Sequence, residues 1–137
     1  MRKSTKNLLA GGGMAFLLVS SLGFAAPAMA AHNTGNFSLV ISGTQQANSG
    51  DVEKLNNGQN GTVYISSTTA GAVNMWAQMF NSAGAVRSNA VLATYQSKTP
   101  LTNNTGLSGY LYHINAHRQY VWDYPETFVG WWSPDQA

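Results

Sequence analysis

From Phe37 onward, apolar and polar side chains alternate in short runs. In Phe37-Ser38-Leu39-Val40-Ile41-Ser42, the residues Phe37, Leu39 and Ile41 fall on one face. Residues 62–66 repeat the pattern with Val63 and Ile65 together, and residues 73–80 align Val73, Met75, Ala77 and Met79. A period of two is the signature of a half-buried strand, because successive side chains leave a pleated backbone in opposite directions. Three further runs, 110–114, 119–123 and 127–132, are rich in Tyr, Val, Phe and Trp, which suit a pleated and half-covered surface. Weaker strand signals lie at 52–55, 90–96 and 98–101. Within 119–124, alternation would place Tyr120, Trp122 and Tyr124 on one face.

Polar turns separate the runs. Asn57-Gly58 and Asn60-Gly61 precede the second strong run, Ser82-Ala83-Gly84 follows the third, and Asn103-Asn104-Thr105-Gly106 precedes the fourth. Asn and Gly accept the positive φ values that tight turns demand. Residues 83–94 offer the one alternative to strand, a short helix, weakened by Gly84 and β-branched neighbours. Short strands joined by short polar turns predict an all-β, single-domain antiparallel β-sandwich, with jelly-roll and immunoglobulin-like topologies both open. Lysine is the usual guard of an exposed strand edge, and only Lys54 and Lys98 occur after the first thirty residues. The edges are therefore expected to be covered by loops, or to pair with a second copy of the chain or with a target.

The first thirty residues follow a different pattern. Arg2, Lys3 and Lys6 form a positive start, an apolar run extends over residues 8–26, and Ala28-Met29-Ala30 supplies a small-residue exit. This is the layout of a secretory signal peptide cleaved after Ala30. An uncleaved anchor is the competing reading, since nineteen residues approach the ~20 needed to span a bilayer. Gly11-Gly12-Gly13 interrupts the run, however, and Pro27 closes it. The expectation is a signal over 1–30 and a secreted, extracellular domain over 31–137, with no integral membrane segment after cleavage.

Charge has to be recounted on that basis. The whole chain carries seven Lys and Arg against five Asp and Glu, a formal +2. Removing Arg2, Lys3 and Lys6 leaves four cations against five anions, a balance of −1. A nucleic-acid-binding role loses its electrostatic driver, and so does a cationic amphipathic attack on anionic lipid. The chain has no cysteine, so neither disulfides nor thiol chemistry contribute, and packing and hydrogen bonds must hold the domain.

Candidate chemistry is sparse. His113 and His117 are four residues apart, which places them on one face of either a strand or a helix, although Asn115-Ala116 between them favours a hairpin turn with a histidine on each side. With Asp123 or Glu126 they could hold zinc or copper. If cleavage fell after Ala31, His32 would lead the chain, and an N-terminal histidine on a sandwich resembles the copper brace of lytic polysaccharide monooxygenases. Met29 would then occupy the −3 position, where small residues are preferred. A copper or zinc enzyme built on His32, His113 and His117 is thus the remotest reading. No Gly-x-Ser-x-Gly elbow occurs, and the carboxylate pairs Asp51/Glu53 and Asp123/Glu126 are local neighbours. The expectation is a non-enzyme without cofactor or catalytic residues.

Aromatic residues carry the stronger signal. Tyr110, Tyr112, Tyr120, Trp122, Tyr124, Phe128, Trp131 and Trp132 crowd into 23 residues. Half of a sandwich's strand faces point inward, so most of these are expected in the core. Trp131 and Trp132 cannot both point inward in a regular strand, which leaves at least one for the surface. Trp122, Tyr124, Trp131 and Trp132 are the candidate binding residues for a glycan or cell-wall ligand.

The tail Val129-Gly130-Trp131-Trp132-Ser133-Pro134-Asp135, with the opening strand and the Trp76 strand, resembles a family of small cysteine-free secreted proteins of Gram-positive Firmicutes, sometimes labelled bacteriocin-like. The resemblance implies a secreted factor acting on a cell-envelope component or receptor and carries over no catalytic residue. The lactococcin-type sandwich bacteriocins are a further comparison, although their glycine-rich opening is missing here. The alternative is a carbohydrate- or cell-wall-binding module using the exposed aromatics.

Overall fold

In a computed structural model, which describes residues 30–69, 71 and 74–137, the alternating runs become strands of two facing sheets. In chain order they are β1 (Gly35–Ile41), β2 (Ala47–Asn48), β3 (Val52–Glu53), β4 (Gly61–Thr68), β5 (Asn74–Asn81), β6 (Val91–Thr94), β7 (Thr99–Leu101), β8 (Leu111–His117) and β9 (Glu126–Ser133). One sheet runs β1-β9-β4-β7; in the other β8 pairs with both β2 and β3 on one side and with β5 on the other, and β6 lies beyond β5. Every strand pairing is antiparallel. Among the described residues there is no helix, so 83–94 is not helical: it forms a turn, a bend and β6.

The register resolves the topology. β2 pairs with Asn115 and Ala116 and β3 with Leu111 and Tyr112, so they are two ends of one strand interrupted at Ser49-Gly50-Asp51. Counted as one, they leave eight strands paired first with last (β1–β9), second with seventh (β2/β3–β8), third with sixth (β4–β7) and fourth with fifth (β5–β6). That is a single long hairpin, and the further pairings β9–β4 and β8–β5 roll it into two sheets. The protein is a jelly roll, and the immunoglobulin-like alternative is set aside.

The core lies between the sheets. Phe37, Leu39 and Ile41 of β1, Val63 and Ile65 of β4, and Phe128 and Trp132 of β9 face Met75, Ala77 and Met79 of β5 and Ile114 and Ala116 of β8. At Gly130 a side chain would strike the Tyr64 carbonyl and the Phe37 ring, so only glycine lets β9 run between β1 and β4 there.

One ion pair is sealed inside. Lys54 and Asp135 are both 0% exposed, with Nζ 3.0 Å from Oδ1. The ammonium also donates to the carbonyls of Gln59 (3.0 Å) and Pro134 (2.6 Å). The carboxylate also accepts the backbone N–H groups of Leu55 (2.8 Å) and Asn56 (3.1 Å). All three ammonium protons thus have an acceptor, which offsets the cost of burying the charge. The cluster fastens the segment after β3 to the segment after β9.

Two expectations about the last third are corrected. Residues 115–116 make no hairpin: β8 runs unbroken to His117. The run 119–123 is not a strand but part of the β8–β9 connection. The edges are managed unevenly. β7 carries Pro100 and follows directly on Lys98, β6 is short and β2/β3 is broken, whereas β1 has neither charge nor proline along its seven residues. The predicted signal over 1–30 falls, except for Ala30, outside the described residues, as does Val73.

Candidate functional site

The β8–β9 connection, residues 118–125, turns a run of large apolar side chains outward. Val121 is 71%, Trp122 72% and Tyr124 87% exposed, and Tyr120 is also exposed. Leaving four such neighbours in water is unfavourable, which makes this loop the candidate contact surface. The Tyr120 and Trp122 rings stack on each other, with centroids 4.9 Å apart and planes 5° from parallel. They form one two-ring plate, with Tyr124 further along.

The backbone beneath the plate is braced at several points. Asp123 N donates to the Tyr120 carbonyl (3.1 Å), and Asp123 Oδ2 accepts Tyr120 N (2.9 Å), closing the turn twice. Gly43 clasps it from the β1–β2 connection: Gly43 N donates to the Asp123 carbonyl (3.0 Å), and Arg118 N donates to the Gly43 carbonyl (3.0 Å). Gly43 has φ +56°, and a Cβ there would lie 2.6 Å from the Val121 carbonyl. Both the left-handed backbone and the close approach therefore require glycine. Arg118 completes the brace. Its Nη1 donates to the Tyr124 carbonyl (3.1 Å), its Nε lies 3.8 Å from Asp123 Oδ2, and its guanidinium rests over the Phe128 ring at 5.6 Å. A loop held this way would lose little further freedom on meeting a ligand.

The four nominated aromatics occupy three places. Trp122 and Tyr124 are together on the loop. Trp131 lies on the outer face of the β1-β9-β4-β7 sheet, half-buried, stacked on Tyr64 at 5.5 Å and 21°, with Lys98 Nζ 5.6 Å from its ring centroid. It is five residues along β9 from Glu126, about 17 Å from the root of the loop. Trp132 is 0% exposed in the core and offers no surface to a ligand. The expectation that most of the clustered aromatics are core is corrected as well: only Tyr112, Phe128 and Trp132 are buried. Tyr120 and the Arg118–Asp123 brace were not singled out as site residues in the sequence. Their signal was the turn chemistry of Asp123 and Pro125, which interrupts the apparent alternation.

The histidines do not converge. His113 and His117 point the same way from β8, about 13 Å apart at strand spacing, too far to share an ion. His113 Nδ1 lies 3.3 Å from Asp51 Oδ1 and its ring stacks on Phe80, while His117 Nδ1 is 2.7 Å from the Arg118 carbonyl. His32 is exposed beside Trp131. Among the described residues no three His, Cys, Asp or Glu side chains lie close enough to hold a metal.

Compared with protein-family models, with curated proteins and with solved structures, the chain finds no match in any of the three.

Proposed function

We propose that this chain is exported and acts by binding, as a bacteriocin-like factor directed at a component or receptor of the Gram-positive cell envelope, with the 118–125 loop as its contact surface. The observation that carries this reading is the stacked Tyr120–Trp122 plate, with Val121 and Tyr124 beside it, held in water by a braced turn. The signal-like first thirty residues and the resemblance of the Val129–Asp135 phrase support export and an envelope target. The −1 balance beyond residue 30 argues for a specific partner rather than general lipid disruption.

Glycan recognition is the second reading. It is favoured by flat aromatic faces, which pack on the apolar faces of sugar rings, at both the loop and the Tyr64–Trp131 stack.

The test is co-sedimentation with purified Gram-positive cell walls, paired with growth inhibition on a strain panel. Trp122→Ala and Tyr124→Ala should each weaken cell-wall binding at least about ten-fold, as hot-spot aromatics do, with an unchanged melting temperature. Full binding by the double variant would remove the loop from the interface. Loss in Trp131→Ala alone would move the site to the sheet face.

A further inference from the structure

Four cationic side chains follow residue 30: Lys54, Arg87, Lys98 and Arg118. Lys54 is locked to Asp135, Arg118 is committed to Asp123 and the Tyr124 carbonyl, and Lys98 lies over Trp131. Arg87 differs. Its main chain is fixed, since its N–H donates to the Met79 carbonyl (2.8 Å) and its carbonyl accepts Thr105 N (2.8 Å). Its guanidinium makes no ion pair or hydrogen bond with another described residue, although the side chain is half-buried.

That guanidinium lines a cleft of about 330 Å³ between the turn after β5 and the loop leading into β8. Ser82 and Thr105 contribute hydroxyls, while Leu107, Tyr110 and Leu111, all exposed, form an apolar rim. No carboxylate lines it. The volume lies within the range of small-molecule sites. The walls are held from below, because the buried Tyr112 hydroxyl accepts Leu107 N (2.8 Å) and donates to the Leu107 carbonyl (3.0 Å).

We propose that this cleft binds a carboxylate carried on an apolar body. The guanidinium fork matches a carboxylate with two parallel hydrogen bonds, and partial burial strengthens them. A single cation neutralises a monoanion; a phosphate dianion would remain under-compensated, with no second cation in the lining. The three apolar rim residues cover a hydrocarbon or aromatic body. Two sources share this chemistry: a free organic acid, and the C-terminal carboxylate of an apolar peptide.

Titration of the purified ¹⁵N-labelled protein with 3-phenylpropionate, followed by NMR, tests the site directly. Saturable shifts should centre on the amides of Ser82, Thr105 and Leu107. The neutral isostere 3-phenylpropionamide should bind at least about ten-fold more weakly, the loss of one charge-assisted contact. Arg87→Gln should weaken the acid to the same degree without moving the melting temperature, since its guanidinium holds none of the described residues. Equal binding of acid and amide by the wild-type protein, or unaltered acid binding by the Arg87→Gln variant, would overturn the proposal. N-acetyl-leucyl-phenylalanine separates the sources: tighter binding than the small acid assigns a peptide terminus, and equal binding assigns a free acid.

Discussion

Lys54 and Asp135 show how one residue pair can replace a covalent staple in a chain without cysteine. The pair contributes little net in the interior, because desolvation cancels most of the Coulomb gain. Once both are buried and hydrogen-bonded, removing either leaves an uncompensated charge. Lys54→Met should therefore cost about 3–5 kcal/mol of unfolding free energy, read from the urea midpoint. Asp135→Ala should cost at least as much, since it also orphans the N–H groups of Leu55 and Asn56. A loss below about 1 kcal/mol in both would mean that water reaches the pair. Neither partner stands out in the sequence: a lysine in an Asn-rich stretch and an aspartate 81 positions later carry no periodic or motif signal. Trp132 was half-legible, because alternation requires Trp131 and Trp132 to part company but does not say which goes inward.

At the scale of the element, the 118–125 connection carries a strand-like alternation on a backbone that turns. Tyr120, Trp122 and Tyr124 alternate as a strand would, but the Asp123 carboxylate caps the Tyr120 N–H three residues back, and Pro125 cannot donate to a ladder. The turn therefore prevails, and the rings stack on each other rather than standing in a row. The opposite error occurred at 115–116, where Asn-Ala suggested a turn but Ala116 is needed in the core, so β8 continues. By contrast, β1 and β4 were legible because Phe37, Leu39 and Ile41, and Val63 and Ile65, recur at every second position, whereas β9 was legible from its strand-favouring Phe, Val and Trp rather than from alternation. Asp123→Ala removes the turn's carboxylate cap and the Arg118 pair, and should cost about 1–2 kcal/mol. It should also diminish the near-ultraviolet dichroism of the Tyr120–Trp122 stack, and weaken cell-wall binding although every ring remains. Unchanged dichroism would show that the rings stack without the brace.

At the scale of the whole molecule, a jelly roll is dominated by contacts between distant parts of the chain. Gly35 pairs with Trp132 and Ile41 with Glu126, and among the described residues only the β5–β6 pair joins consecutive strands. Loop closure must be met before such contacts reward it, which slows folding. Stopped-flow refolding followed by tryptophan fluorescence should show a main phase in milliseconds to seconds, and a microsecond phase carrying the full amplitude would contradict this. The sandwich class was legible because runs and turns recur regularly. The roll was not, because register between β1 and β9 depends on which strands meet across more than eighty residues, and alternation is blind to partners.

The position of β9 has one more consequence. It leaves the ribosome after every other described strand, yet it lies in the middle of its sheet, between β1 and β4. Until it arrives those two strands have no common neighbour, and the first sheet cannot assemble. The first sheet of a nascent chain thus stays incomplete until the last strand is made. If the chain is exported unfolded, as we propose, the order of strands itself would delay closure of that sheet until the far side.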